Sequence, residues 1–179
     1  MNNIKNNKII FIIGLPGCGK SALSKMLAEK LNYDLYDMDS FIEKKEGRTI
    51  TNIFAENGEP YFRNIESEVL EELSNLNNAV ISTGGGIVLA EKNRNIMKDK
   101  GITIFIDRSP DIILQNIDPT ERPLLAKDKN KLLELSKQRD SLYRESAHII
   151  FTHNTWEDNI DNAFKNFMKV LIIIFKNYY

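Results

Sequence analysis

Lys8-Ile9-Ile10-Phe11-Ile12-Ile13-Gly14-Leu15-Pro16-Gly17-Cys18-Gly19-Lys20-Ser21 decides the fold class of this chain. An apolar run with the look of a buried strand passes into G-x-x-x-x-G-K-S, and a helix-like stretch follows from Ala22 to Leu31. In that strand–loop–helix setting the motif is a phosphate-binding loop. The glycines permit backbone torsions closed to other residues and let successive N–H groups converge on an anion. The helix behind the loop adds the positive end of its dipole. Lys20 can reach the β- and γ-phosphates of a nucleoside triphosphate, and the Ser21 hydroxyl can ligate magnesium. A triphosphate is therefore expected on this side of the site, and the receiver of the phosphate is the open question.

Composition narrows the options. The 179 residues suit one domain with a real core, and no repeat, linker or second domain is visible. The 24 basic and 25 acidic side chains leave a net charge of −1, so no bulk basic surface invites nucleic acid. The one cysteine, Cys18, rules out an internal disulfide and fits a reducing, cytoplasmic setting. It is either a tolerated small loop residue or a thiol whose oxidation would block the loop. The first eight residues lack the apolar stretch of a signal sequence. The apolar run Val170–Phe175 is far short of the about 20 residues of a membrane span, so a terminal element docking on the core, or a partner surface, is expected there. A monomer without membrane or nucleic-acid partners is the expectation.

Strand-like runs at Ile9–Ile13, Tyr33–Asp37, Ala79–Ser82, Ile102–Ile106 and Ile149–Thr152 alternate with helix-like segments. The latter are Ser21–Asn32, Glu59–Leu76, Lys129–Ala147 and Trp156–Phe167. Apolar runs without clean alternation suit a parallel sheet covered on both faces, hence an α/β fold. Ligands then sit beyond the carboxyl ends of the strands. Besides the phosphate loop, two segments there carry chemistry, and three arginines elsewhere join them. Asp37-Met38-Asp39, read as extended, would present both carboxylates on one side. Asp37 suits a water-mediated contact to magnesium, and Asp39 suits orienting an attacking hydroxyl or, alternatively, capping the next helix. Gly84-Gly85-Gly86 is read as a floor for a small ring, since a simple turn seldom needs three glycines. Arg63, Arg122 and Arg139 are arginines whose planar forks could bind carboxylate or phosphate, or simply lie in solvent. Neither His148 nor His153 has a visible constellation, and both read as structural.

These residues, in this order, resemble the shikimate kinase family from about Lys8 to about Asn154. The carrying segments are Gly14–Ser21, Asp37-Met38-Asp39, Gly47-Arg48-Thr49-Ile50, Ile53–Glu59, Phe62-Arg63-Asn64-Ile65-Glu66, Gly84-Gly85-Gly86, Arg122-Pro123-Leu124-Leu125 and Arg139-Asp140-Ser141-Leu142-Tyr143. The resemblance implies a nucleoside-monophosphate-kinase-like three-layer sandwich with a five-stranded parallel sheet. A shikimate-binding segment would span about 39–76 and a mobile lid about 116–130. It implies transfer of the ATP γ-phosphate to the 3-hydroxyl of shikimate, with ATP and Mg2+ as cofactors. By motif, Gly17, Cys18, Gly19, Lys20, Ser21 and Ala22 would hold the nucleotide, with Ser21 on the metal, and Arg122 would reach the phosphates from the lid. Arg63 and Arg139 would clamp the carboxylate, and Asp39 with Gly84, Gly85 and Gly86 would take the ring. Lys20, Asp39 and Arg122 would be the catalytic residues. The chain departs from the family at Gln115, where a basic residue is common, with Lys127, Lys129 or Lys131 as possible substitutes. The match also fades at Thr155-Trp156. Another kinase of the same fold, or a non-catalytic nucleotide-binding module, remains the alternative at this point.

Overall fold

The computed structural model describes residues 9–116, 129–154 and 160–177. Strands β1 (Ile9–Ile13), β2 (Asp34–Asp37), β3 (Ala79–Ser82), β4 (Gly101–Asp107) and β5 (Ile149–Thr152) form one parallel sheet in the order β2-β3-β1-β4-β5. The helices are α1 (Lys20–Leu31), α2 (Met38–Glu46), α3 (Ile50–Leu73), α4 (Glu91–Lys100), α5 (Pro110–Asn116), α6 (Lys129–Ser146) and α7 (Ile160–Asn177). A 3-10 turn, Ile87–Leu89, precedes α4.

The all-apolar runs become the interior strands. Every residue of β1 and β3 is buried, and Phe11, Ile12 and Ile13 are fully so. Each such side chain contributes about 1.5–3 kcal/mol by leaving water. Covering on both faces does not extend to the edges: Leu35 in β2 and Ile150 in β5 are exposed. An edge strand has a neighbour on one side only, so fewer helices reach over it. Helix α7 packs on α1 and reaches the core through Phe167 and Leu171. Of the apolar run, Leu171 is buried on the core and Ile172 is exposed. The expected helix Trp156–Phe167 is helical from Ile160 onward, and its residues 156–159 lie outside the described residues.

Helix α3 has two arms: one from Ile50, with the Thr49 hydroxyl accepting the Asn52 N–H at 3.2 Å, which the sequence did not announce, and one from the expected Glu59 to Leu73. Gly58 breaks it with φ 78 and ψ 174, two residues before Pro60. Proline cannot donate to the helical ladder, and glycine alone adopts that torsion cheaply, so this pair makes the kink. Ile50 and Phe54 come from one arm, and Phe62, Arg63 and Glu66 from the other, onto the same hollow.

Candidate functional site

The loop after β1 folds as its glycines require. Gly14, Gly17 and Gly19 all have positive φ, and a Cβ on Gly14 would stand 2.8 Å from Ile106 O and 2.9 Å from Cys18 Sγ. Cys18 is buried behind the loop. Lys20 is 8% exposed, and its ammonium donates to Gly14 O at 3.0 Å and to Leu15 O at 2.9 Å. Its own loop holds it across the mouth of a cavity of about 330 Å3. Gly17, Gly19, Lys20, Ser21, Ala22, Asp37, Asp39, Thr83 and Gly85 line that cavity. The Thr83 hydroxyl donates to Ile12 O at 3.0 Å, which commits its proton to the sheet.

Asp37 and Asp39 both reach the cavity, but not from an extended segment. Asp37 ends β2 and caps α2, its Oδ1 accepting the Ser40 N–H at 3.1 Å; Asp39 already lies in the first turn of α2. A capping carboxylate needs extended torsions followed at once by helical ones, so the pair cannot share one strand face. The cap is thus Asp37 and not Asp39. The other Asp37 oxygen accepts the Ser21 hydroxyl at 3.2 Å, which brings the two expected metal-side residues together. Magnesium keeps several waters and nucleotide oxygens, so one hydroxyl and one nearby carboxylate fit the protein's share of its shell.

A second hollow, of about 180 Å3, adjoins the first and shares Pro16, Asp39 and Gly85 with it. Arg63 and Arg139 both face it, from α3 and α6. Arg63 donates from Nη1 to Glu66 Oε2 at 2.7 Å and from Nη2 to Glu59 Oε1 at 2.9 Å, and lies 5.1 Å from the Phe62 ring centre. Arg139 is buried; its Nη1 donates to Gly85 O at 3.0 Å, and its Nε has no partner. The Tyr143 hydroxyl donates to the same carbonyl, and burial pushes its pKa well up.

Two of the three glycines, Gly84 and Gly86, make room for charged side chains, and Gly85 makes room for Pro16. A Cβ on Gly86 would collide with the Arg63 guanidinium. One on Gly84 would stand 2.8 Å from Glu66 Oε1 and 3.0 Å from Asp39 Oδ1, and one on Gly85 would stand 2.9 Å from Pro16. The floor expected for a ring is first the bed of the site's own ionic groups. Glu66 is the residue that sequence reasoning left without a role. It is 1% exposed, its Oε1 is unpartnered, and burial raises its pKa against the pull of Arg63, with Asp39 adding to the rise. The available signal was its place three residues after Arg63, on the same helical face. Pro16, Ile50, Phe54 and Phe62 were likewise not foreseen.

Arg122 and Lys127 lie outside the described residues, as do Thr155 and Trp156; Gln115 and Lys131 are exposed on α5 and α6. His148 accepts the Thr103 N–H at its Nδ1, and His153 stacks on Phe151. Both are structural here. Among the described residues no helix is long and apolar enough to cross a membrane.

The site pairs an anion-binding loop and its lysine with a hollow that presents two guanidinium groups, and Asp39 stands at their junction. Such an arrangement can align a phosphoryl donor with a small anionic acceptor. A family model described as "Shikimate kinase" matches residues 16–171. A shikimate kinase of Clostridium botulinum (strain Eklund 17B / Type B) is 41% identical over 156 residues, 87% of this chain and 94% of the relative. The structure of a shikimate kinase from Acinetobacter baumannii in complex with shikimate superposes with a TM-score of 0.84 at 36% identity, covering 96% of this chain and 94% of that one. That of the Aquifex aeolicus shikimate kinase gives 0.77 at 37% identity, over 91% and 95%. Loop, paired arginines and overall superposition agree, and the chain belongs to the shikimate kinase family.

Proposed function

We propose that this protein transfers the γ-phosphate of ATP to the 3-hydroxyl of shikimate, giving shikimate 3-phosphate on the route to chorismate and the aromatic amino acids. The observation that carries the reading is the meeting of two unlike hollows at Asp39: phosphate-loop chemistry on one side, Arg63 and Arg139 on the other. The loop N–H groups from Gly17 to Ala22 would hold the triphosphate, and Lys20 would exchange its loop carbonyls for phosphate oxygens. Ser21 directly, and Asp37 through water, would hold magnesium, which neutralises charge on the phosphates when bound. Arg63 and Arg139 would fork the shikimate carboxylate, with Glu66 keeping Arg63 aimed. Asp39 would accept a hydrogen bond from the attacking hydroxyl and fix its line of approach. Because the transition state is loose, orientation matters more than early proton removal. Gly84, Gly85 and Gly86 would let the ring approach the backbone, and Arg122 would add a charge from the segment 116–130.

Release of ADP by the purified chain tests donor and acceptor together. With MgATP present, shikimate is expected to raise the rate strongly, and gluconate or a nucleoside monophosphate is not. Equal rates with and without shikimate, or preference for another acceptor, would overturn the reading.

A further inference from the structure

The chain leaves β1 towards β2 on one side of the sheet and leaves β4 towards β5 on the other. The crevice between β1 and β4 is therefore the switch point of the topology, where open parallel sheets take their ligands. The phosphate loop fills the β1 side. On the β4 side the chain runs Asp107-Arg108-Ser109, and a third cavity of about 240 Å3 opens there against Leu15 of the loop. No residue assigned above to either substrate supplies a charge from this cavity.

Its charges are unevenly matched. Asp107 and Asp140 are both held by Arg144, at 3.0 and 2.8 Å, and Asp107 also accepts the Thr152 hydroxyl. Asn154 is turned to the Ser109 N–H at 2.8 Å. Neither acid reaches Arg108, which lines the same cavity half-buried. Its Nε is wholly buried without an acceptor, and among the described residues the guanidinium makes no hydrogen bond or ion pair. Arg48, Arg63, Arg94, Arg139 and Arg144 each find an acceptor. A cation partly withdrawn from water without a counter-charge is costly, and burial accordingly lowers its pKa. Among the described residues, Cys18, in the phosphate loop itself, lies near enough to act on it electrostatically. An unpaired guanidinium beside an anion-binding loop, at the switch crevice, has the charge and the place to receive phosphate oxygens.

We propose that Arg108 is a further nucleotide-binding residue: it reaches from the end of β4 to the phosphate chain held by the loop, as a second cation beside Lys20. The missing counter-charge is then the nucleotide's own. This rests on the nucleotide half of the proposed function and not on the acceptor half.

Calorimetric titration of MgATP and adenosine into wild type, Arg108→Met and Arg108→Lys tests it, with thermal denaturation of each protein as a control. Methionine keeps the packed stem without the charge. Expected is a loss of about tenfold or more in MgATP affinity for Arg108→Met, partial recovery for Arg108→Lys, and unchanged adenosine affinity. The wild-type affinity for MgATP should also fall more steeply with salt than that of Arg108→Met. MgATP affinity unchanged in a folded Arg108→Met, or equal weakening of both ligands, would overturn the proposal. If shikimate fails as acceptor while Arg108→Met still loses MgATP selectively, the acceptor reading falls and this one stands.

Discussion

Arg139 and Glu66 show how single side chains are held ready. Arg139 is buried with Nε unpartnered, so an acceptor carboxylate would complete it. Arg139→Ala is expected to weaken shikimate binding by ~2–5 kcal/mol while leaving the KM for MgATP unchanged. Steady-state kinetics with each substrate varied separately checks this, and an unchanged KM for shikimate would remove Arg139 from the clamp. Arg63→Ala is a less clean probe, because it also strands the buried Glu66 carboxylate. Glu66 makes its own prediction. Burial raises its folded pKa above the unfolded value, so the folded state holds the proton more tightly. Its contribution to stability is then fully present below the ordinary carboxylate range and is lost as pH rises through the folded value. Urea denaturation across pH should show Glu66→Gln gaining on wild type as pH rises through that window. A difference independent of pH would contradict the assignment.

Two elements carry consequences beyond their own residues. The kink of α3 depends on Gly58, whose φ of 78 with ψ 174 is strained for any other residue, although its Cβ would meet only Pro60 Cδ at 3.7 Å. The cost of Gly58→Ala is therefore torsional, about 1–3 kcal/mol. The arm bearing Ile50 and Phe54 would swing relative to that bearing Arg63. A lower Tm and a raised KM for shikimate, with MgATP unaffected, are expected; unchanged values for both would show that the kink does not set the hollow. At the other end of the sheet, His148 extends the β4–β5 pairing. Its N–H donates to Thr103 O at 2.8 Å, and its Nδ1 accepts the Thr103 N–H at 3.0 Å. Burial and the Lys98 charge depress the imidazole pKa. Its stabilising bond is present above the ordinary histidine value and lost as pH falls through the folded one. Denaturation midpoints of wild type should fall more than those of His148→Asn between about pH 7 and pH 5. The residue as a whole is exposed and its imidazole only partly withdrawn from water, so the effect is small.

At the scale of the molecule, the sheet carries the phosphate loop on its central strand and the hollow of Arg63 and Arg139 beside it, with Pro16, Asp39 and Gly85 common to both hollows. Ordering that shared wall for one ligand lowers the cost for the other. Calorimetry should therefore find shikimate bound more tightly in the presence of MgADP than alone, and equal affinities would count against a common wall. Much of this was legible beforehand where function resides in consecutive residues. The loop from Gly14 to Ser21, the interior strands and the run Gly84–Gly86 announce themselves because their constraints are local: torsions, period and the cost of glycine. Arg63 and Arg139, far apart in the chain, are matched through resemblance, and only the packing of both α3 and α6 against the turn Ile87–Leu89 puts them on one hollow. The Asp37 cap, the bend at Gly58, the partner role of Glu66 and the unpaired state of Arg108 lay beyond local reading. Torsional and periodic preferences are properties of short segments, and they determined by themselves the α/β class and the phosphate-binding loop. Burial and the pairing of charges depend on which distant segments the packed sheet and helices bring together. Those decided which carboxylate caps, which guanidinium is satisfied and where the two hollows join.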